Sequence, residues 1–474
     1  MDRKWRALIV VCVAIFMLLL DITVVNVALP DIQRELRTSF TDLQWVVDAY
    51  ALMLATVMLN AGTLGDWLGR KRVFLAGIVL FTLASAACGA AQSPLFLELA
   101  RGAQGIGGAV MFAVSLAIVA QEFHGRERGT AFGIWGATVG FAVAIGPLIG
   151  GALTEWAGWR WIFFVNVPIG ALCVLVGLRV LHESRDEEHA GFDLGGFVTL
   201  TGGLFALVLA LLRGNDWGWS SGRVVALFAI AFGLLVAFCV LQLKETQPTL
   251  DLHLFRKPAF TGAQIVAFAL SAGMFSQFLY LTLYLQNVLH YSPIAAGLRF
   301  LPTSIPAFVV APIAGRLSAR IPVRLLFGVG LALVGVGLVL MHGITVHSGW
   351  TTLLAGFVVG GIGVGIVNPP LAAVAVSVVD PRRAGMAAGI NNTFRQVGIA
   401  TGIAALGAIL QSKAGQAAAS GRGDPVRYIA GLNTILLVSA VVVFVAAVLG
   451  LALVRRRDFV TSGQRQDPAA EAAA

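Results

Sequence analysis

Long apolar runs, separated by short polar gaps, make up most of this chain. A membrane-crossing helix needs about 20 predominantly apolar residues, and only helices and closed barrels span lipid without leaving backbone polar groups unpaired. The gaps between the runs are too short for a folded soluble domain. We therefore predict an all-α integral membrane protein with fourteen spans. The predicted spans are residues 7–29, 44–64, 73–92, 95–119, 129–153, 161–181, 194–213, 222–243, 259–286, 294–315, 324–342, 351–376, 386–411 and 431–454.

The composition excludes several other classes of protein. Hydrophobic residues make up 58% of the chain and charged residues 12%, whereas soluble domains carry about 25% charge. The net charge of +9 does not predict a nucleic-acid partner, because the basic residues lie in short gaps between apolar runs. No phosphate loop (GxxxxGKS or GxxxxGKT) and no HExxH helix occurs. We therefore expect neither an ATP-driven pump nor a zinc protease, and no cofactor or metal.

The basic residues of the gaps also predict the orientation of the chain. Cytoplasmic loops of membrane proteins carry an excess of lysine and arginine. With the N-terminus in the cytoplasm, the most basic gaps fall inside, at residues 70–72, 126–128, 316–324 and 455–457. We therefore expect both termini to be cytoplasmic. The first apolar run is too long for a signal-peptide core, so we expect it to remain as the first helix.

Two stretches near the start of the chain resemble two stretches nearer its end. GTLGDWLGRK (62–71) aligns with GRLSARIPVR (315–324), and QGIGGAV (104–110) aligns with GGIGVGI (360–366). Parallel repeats of this kind build transporters that bind substrate between two halves. The predicted units are a six-helix bundle at 1–186, two inserted helices at 187–248, a second six-helix bundle at 249–457 and a disordered cytoplasmic tail at 458–474.

Five motifs follow one another along the chain. They are LDITVVNVALP (20–30), GTLGDWLGRKR (62–72), LELARGAQGIGGA (97–109), GATVGFAVAIGPLIGG (136–151) and WRWIFFVNVPIG (159–170). With these motifs the chain resembles the major facilitator superfamily, specifically its fourteen-helix drug:proton antiporter family. The resemblance implies two six-helix bundles with two additional inserted helices, in the plasma (inner) membrane of a bacterium. Trp67 is a departure, because the family commonly has a basic residue at this position.

Charged residues are concentrated at the end of the second predicted span. An acid at Asp66 can cap the positive N-terminus of a helix in the other half, which would hold the cytoplasmic side closed. The resemblance implies that Arg70 helps to hold this gate. The predicted cytoplasmic gate consists of Gly62, Asp66, Gly69, Arg70 and Lys71. A loop that only orients the chain is the alternative.

An acid and a base inside predicted spans form the candidate proton-coupling pair. A mid-membrane arginine costs about 2.5–3.5 kcal/mol, so Arg101 should face a partner or a wet cavity. A buried, unpaired carboxylate takes up a proton, and Asp21 could therefore carry one across the membrane. The alternatives are an Arg101 that snorkels to the outer surface and an Asp21 that makes a structural hydrogen bond.

The other polar residues of the spans are candidates for a substrate cavity. Asp48 would attract a lipophilic cation there, or else be an interfacial acid at a helix start. Each candidate in the second half could equally make an interhelical hydrogen bond. The predicted cavity residues are Asp21, Asp48, Gln277, Tyr280, Tyr284, Asn368, Asn392 and Arg395.

The fifth predicted span contains glycines at four-residue spacing. Gly136 with Gly140, and Gly146 with Gly150, would let a neighbouring helix approach closely. Pro147 would bend the span. The resemblance implies that this packing seals an antiporter against leak.

These features predict a proton-coupled antiporter, not an enzyme, that exports lipophilic, cationic drugs or toxic compounds by alternating access. Its expected partners are small lipophilic molecules, protons and the lipid bilayer, without nucleic acid, and we expect a monomer. The alternatives are a dedicated exporter of one natural product or lipid, and a non-transporting membrane sensor or scaffold. Asp21 and Arg101 argue against a scaffold, which gains nothing from the cost of buried charges.

Overall fold

The computed structural model describes residues 2–37, 40–185, 193–245, 250–318, 320–377, 379, 384–414 and 424–454. Within these residues the structure is helical and contains no strand. Long apolar segments form helices because every backbone N–H and C=O can then be paired inside the segment. The predicted tail at 458–474 lies outside the described residues, as do the predicted boundaries between units.

The N-terminal bundle and the inserted pair follow the predicted order. Helices begin where a polar side chain can accept from the first-turn N–H groups; for example, Ser93 Oγ accepts from the amide of Phe96 at 3.4 Å, and Pro94 follows as the first helical residue. The helices of the N-terminal bundle are α1 (Arg3–Leu36), α2 (Phe40–Leu68), α3 (Arg70–Gly89), α4 (Pro94–Glu122), α5 (Gly125–Ala157), α6 (Trp161–Phe164) and α7 (Asn166–Val180). The inserted helices are α8 (Leu194–Trp217) and α9 (Gly222–Lys244).

The C-terminal bundle is less regular. A π-helical segment, Ser271–Phe275, joins its first two helices, and a second, Tyr284–Val288, follows them. A π turn contains one extra residue, which rotates the following side chains by about 100° around the helix axis. The helices of this bundle are α10 (Pro258–Leu270), α11 (Gln277–Leu283), α12 (Pro293–Arg299), α13 (Leu301–Leu317), α14 (Val323–Leu340), α15 (Leu354–Ser377), α16 (Ala384–Ala414) and α17 (Pro425–Leu453).

Within the described residues, twelve helical segments are long and apolar enough to cross a membrane. The predicted spans at 129–153 and 294–315 are also helical, in α5 and in the pair α12–α13, but they are not among those twelve. The all-helical membrane fold is therefore confirmed, and the count of fourteen spans stays a prediction. The predicted span at 161–181 is interrupted at Val165, between α6 and α7.

The two bundles meet along two seams. In the first seam α2 packs against α16, and in the second α5 packs against α13 and α15. The inserted helix α8 packs against both α2 and α16 and therefore covers the first seam. The second inserted helix, α9, packs on α8 and exposes large apolar side chains such as Phe232. Buried polar residues lie along the helices that form these seams.

Candidate functional site

Asp21 of α1 lies in a buried polar network with two residues of α4. Arg101 Nη1 donates to Asp21 Oδ2 at 2.5 Å and to Gln104 Oε1 at 2.8 Å. Gln104 Nε2 donates in turn to Asp21 Oδ1 at 2.9 Å, and Asn166 Nδ2 reaches the same oxygen at 3.3 Å. The side chains of Asp21 and Arg101 are 0% and 1% exposed. The structure therefore brings together the two residues predicted as the coupling pair and satisfies both carboxylate oxygens.

The rest of the guanidinium group of Arg101 is also held inside the N-terminal bundle. Its Nε donates to the carbonyl of Val46 at 3.0 Å, and its Cζ lies 4.3 Å from the ring centre of Tyr50. Removing one partner of a buried ion pair costs about 3–5 kcal/mol, because the other charge stays buried without compensation.

Asp66 connects the two bundles across the first seam. Its Oδ1 accepts hydrogen bonds from Arg70 Nε at 2.9 Å and Nη2 at 2.8 Å. Its Oδ2 accepts from the backbone N–H of Met386 at 2.8 Å, in the first turn of α16. Negative charge is favourable at a helix N-terminus, where several N–H groups have no intrahelical partner. A carboxylate of one bundle therefore caps a helix of the other, and Gly62 lies buried one turn earlier in α2.

The other predicted gate residues are bound within the N-terminal bundle. Glu183, which the sequence did not single out, accepts from the first-turn N–H of Lys71 at 3.0 Å and caps α3. Gly69 has φ +108°, and a Cβ there would lie 2.6 Å from Glu183 Oε1, so glycine is required. Lys71 Nζ donates to the carbonyl of Leu178 at 2.8 Å, near the C-terminus of α7. Its ammonium group thus binds the negative end of a helix in its own bundle, and the gate role of Lys71 stays a prediction.

Glycines bring α5 against α13 at the same end of the molecule as Asp66. A Cβ on Gly129 would overlap the carbonyl of Gly315, and a Cβ on Gly133 would lie 2.8 Å from the Cα of Pro312. Backbones this close leave no room for side chains. Both seams are therefore closed at this end. The sequence analysis missed Gly129 and Gly133, because the partner helix cannot be read from glycine spacing alone.

The predicted α5 glycines differ in what they contact. Gly146 approaches Thr23 closely, and a Cβ on Gly150 would lie 3.0 Å from the Cα of Val24, so both pack against α1. These contacts lie within one bundle. Pro147 is part of α5, and its side chain lies outside the described part of the chain.

The other two predicted α5 glycines face the C-terminal bundle. A Cβ on Gly136 would lie 3.7 Å from Asn368, an ordinary contact across the second seam. A Cβ on Gly140 would meet no atom within 4 Å. The prediction of close packing is wrong for Gly140, because α5 borders open space at this depth.

That space is a cavity between the two bundles, next to the second seam. The space not filled by atoms here is about 400 Å³, a figure that includes open solvent at the mouth of the cavity. Its walls are mostly apolar with a few polar groups, which is typical of sites for small molecules. The lining residues are Val139 and Gly140 of α5, and Phe275, Phe278, Thr303, Ser304, Ala307, Val364 and Asn368 of the C-terminal bundle.

Three predicted cavity residues make hydrogen bonds inside the C-terminal bundle instead. Gln277 Nε2 donates to Ser439 Oγ at 2.7 Å. The Tyr280 hydroxyl donates to a backbone carbonyl of α16 at 2.5 Å, and the Tyr284 hydroxyl to one after α14 at 3.1 Å. They are not among the lining residues of this cavity, and their hydrogen bonds agree with the alternative of interhelical bonding. The π segment Ser271–Phe275 shifts the helical register, so aromatic residues face the cavity in their place.

The remaining candidates of the second half lie at or beside the cavity. Asn368 lines it, and its Oδ1 accepts from Arg395 Nη1 at 3.1 Å. The guanidinium of Arg395 also lies 5.6 Å from the ring centre of Phe275, another lining residue. Asn392, one turn before Arg395 in α16, is 1% exposed.

Asp48 does not face this cavity but lies against the first inserted helix. Its Oδ2 is 3.1 Å from Nη2 of Arg213, a residue that the sequence analysis did not consider. The Arg213 side chain is 2% exposed and lies over the ring of Trp45 at 4.5 Å. The expected free acid is thus part of an ion pair, because α8 covers this face of α2.

Two helical bundles, a small cavity between them and buried charges on the helices that meet are the features of a membrane transporter. The sequence model of the Major Facilitator Superfamily matches this chain at residues 11–403 and, in a second match, at residues 304–473. The chain therefore belongs to the Major Facilitator Superfamily, as its motifs predicted.

Curated relatives and a solved structure agree with this assignment. The chain is 38% identical over 405 residues to the multidrug resistance protein Stp of Mycobacterium tuberculosis, covering 85% of this chain and 75% of Stp. It is 38% identical over 413 residues to the puromycin resistance protein pur8 of Streptomyces alboniger, covering 86% and 82%. The crystal structure of the human organic anion transporter MFSD10 (TETRAN) matches with a TM-score of 0.67 at 16% identity, covering 95% of this chain and 100% of that one. This last match concerns the fold alone.

Proposed function

We propose that this protein exports lipophilic drug-like compounds across the plasma membrane of a bacterium in exchange for protons. Support comes from the relatives, which carry the names of multidrug and puromycin resistance proteins. The observation that supports proton coupling is the buried ion pair between Asp21 and Arg101. We also propose that one chain works as a monomer, with both termini in the cytoplasm.

Coupling follows from what a proton does to this pair. When Asp21 is charged, it compensates Arg101 and the N-terminal bundle is packed as described. A proton on Asp21 removes that compensation and favours a conformation in which Arg101 is better solvated. A proton that enters the cell across the potential yields about 2.3 kcal/mol per 100 mV, which can drive uphill export.

We propose no preference for cations. That expectation depended on Asp48 as a negative charge in the cavity. Asp48 lies against α8 and is paired with Arg213, which also contacts Asp216 at 3.4 Å, so its charge is not placed in the cavity.

The experiment compares Asp21→Asn with Asp48→Asn in proteoliposomes. Both variants replace an acid that is paired with an arginine, but Asp48 lies against α8 and outside the buried network of Asp21, Arg101 and Gln104, so Asp48→Asn is the matched control. A pH gradient is imposed that drives protons in the direction opposite to the substrate, and uphill transport of an aromatic acid, its methyl ester and the matching amine is measured.

We expect Asp21→Asn to abolish uphill transport while substrate still binds or equilibrates, because the amide resembles the protonated acid. Asp48→Asn should keep uphill transport of the same compounds. Undiminished uphill export by Asp21→Asn would remove Asp21 from the mechanism, and native transport that ignores the pH gradient would overturn proton coupling.

A further inference from the structure

Arg395 is a buried cation that has no acidic partner among the described residues of its own bundle. Between Asp251 and Asp424 the sequence has a single acid, Asp380, which lies between α15 and α16 and outside the described residues. Arg395 lies well inside α16, about three helical turns from its start, and is 8% exposed. None of the helices that surround it in the C-terminal bundle contains an acidic residue.

The acidic residues Asp21, Asp66 and Asp48, within helices of the N-terminal bundle, also have partners other than Arg395. Asp21 is paired with Arg101, and Asp66 with Arg70 and the N-terminus of α16. Asp48 lies against α8. The charge of Arg395 is therefore compensated by no side chain of the described spans.

What holds Arg395 accounts for only part of its bonding capacity. A guanidinium group has five N–H donors. Arg395 makes one side-chain hydrogen bond, to Asn368, and a ring contact with Phe275. Both partners line the cavity, so the cation lies directly behind its wall.

Two further polar groups at this place have no hydrogen-bond partner among the described residues. The hydroxyl of Thr303, a lining residue that is 4% exposed, is one of them. The side-chain amide of Asn392, next to Arg395 on α16, is the other. Buried polar groups in native proteins are almost always paired, and exceptions mark strain or an absent partner. The π segment that brings Phe275 to Arg395 is a type of distortion found frequently at functional sites.

We propose that this cavity binds lipophilic compounds through an acidic group, whose negative charge is paired with Arg395. The inference depends on the proposed function and names its substrate class. An ionised side chain inside a membrane protein is costly unless a charge or a ligand compensates it. Guanidinium matches a carboxylate with two parallel hydrogen bonds, and Asn368 and Thr303 can orient the second oxygen. The apolar walls, such as Phe278 and Val364, contact the remainder of the compound.

The test is a binding experiment on the purified full-length protein, without a proton gradient. The probes are anthracene carboxylate, its methyl ester and aminomethyl-anthracene, which share the aromatic body and differ in charge. We expect the native protein to bind the carboxylate on the order of tenfold more tightly than the ester, and the amine most weakly. A native protein that binds the three probes equally, or prefers the amine, contradicts the proposal without any variant.

The variants are Arg395→Gln and Arg395→Lys, and Arg299→Gln is the matched control. Arg299 is a partly buried arginine of the same bundle that lies over Tyr291 and Trp350, away from the cavity. Arg395→Gln should lose the preference for the carboxylate and keep its affinity for the ester, which also reports that the site is folded. Arg395→Lys should keep part of the preference, and Arg299→Gln all of it.

The outcomes separate this inference from the proposed function. An unchanged carboxylate preference in Arg395→Gln overturns the role of Arg395. Binding of the ester without any preference for the acid overturns the substrate class and leaves export standing. If the native protein binds none of the three probes, both the substrate class and the proposed export of lipophilic compounds are overturned. If the native protein prefers the carboxylate in the binding experiment but shows no proton-driven transport in proteoliposomes, only the proposed proton coupling is contradicted.

Discussion

At the scale of single residues, two acidic side chains at the same end of the molecule each cap the N-terminus of a helix. Asp66 and Glu183 each accept hydrogen bonds from the first turn of a helix. The helix capped by Asp66 belongs to the opposite bundle, whereas Glu183 caps α3 of its own bundle. An alternating-access transporter must break the first contact in each cycle and has no need to break the second.

Asp66→Asn should therefore slow transport strongly and leave folding nearly intact. The amide keeps an oxygen for Met386 N–H but loses the charge that interacts with Arg70 and with the helix N-terminus. This change favours conformations in which the seams are open at this end. The measurement is transport in proteoliposomes, together with the thermal unfolding temperature of the purified variant.

Glu183→Gln is the matched control, since it weakens a cap inside one bundle. It should lower the unfolding temperature slightly and leave the transport rate near the native value. Native-rate transport by Asp66→Asn, or equal slowing by both variants, would make the loop an orientation signal and not a gate.

At the scale of elements, α8 is fastened to both bundles. Asn60 of α2 donates to Thr201 of α8 at 2.7 Å, and Asp48 of α2 pairs with Arg213 at its other end. Asn215 of α8 donates to the carbonyl of Ala404 in α16 at 3.3 Å. The contacts with α2 described here involve charge and side-chain amide groups, whereas the one with α16 is a long hydrogen bond to a backbone carbonyl. We therefore expect α8 to move with the N-terminal bundle.

A double-mutant cycle on Asp48 and Arg213 measures this attachment. Arg213→Gln leaves a carboxylate that is only 20% exposed without its partner, so it should destabilise the protein by about 2–4 kcal/mol, below the full cost for a completely buried pair. The double variant with Asp48→Asn should recover part of the loss. Additive losses would show that the two residues act independently.

The sequence predicts where helices lie far better than which way they face. All fourteen predicted segments fall on helices of the described residues, because apolar length is easily read. The sequence does not indicate which side of a helix faces the core, because residues on the outer surface, such as Leu243 and Val448, are as apolar as core residues. The sequence allowed Asp21 and Arg101 to be grouped as coupling residues because charges are rare inside spans. It did not indicate a role for Arg213, because the predicted span ends at this residue, whereas α8 continues for another turn to Trp217.

At the scale of the whole molecule, the positive-inside pattern and the helix order predict which loops face the cytoplasm. Ser220, between α8 and α9, and His253, after α9, are both exposed and lie on either side of one apolar helix. In a background with the four cysteines replaced, a cysteine at 220 should react with an impermeant thiol reagent in whole cells. A cysteine at 253 should react only after permeabilisation. Labelling of 253 in intact cells would break the proposed topology.

The position of α8 also affects how a compound dissolved in the bilayer can reach the cavity. The first seam is covered by this helix, and the cavity borders the second seam, where Phe141 and Phe308 are 40% and 46% exposed with ring centres 5.8 Å apart. A compound that reached the cavity from the lipid on the side of the second seam would have to pass this aromatic pair. We therefore expect the size of these two rings to affect the width of the compounds that can enter from the membrane on this flank.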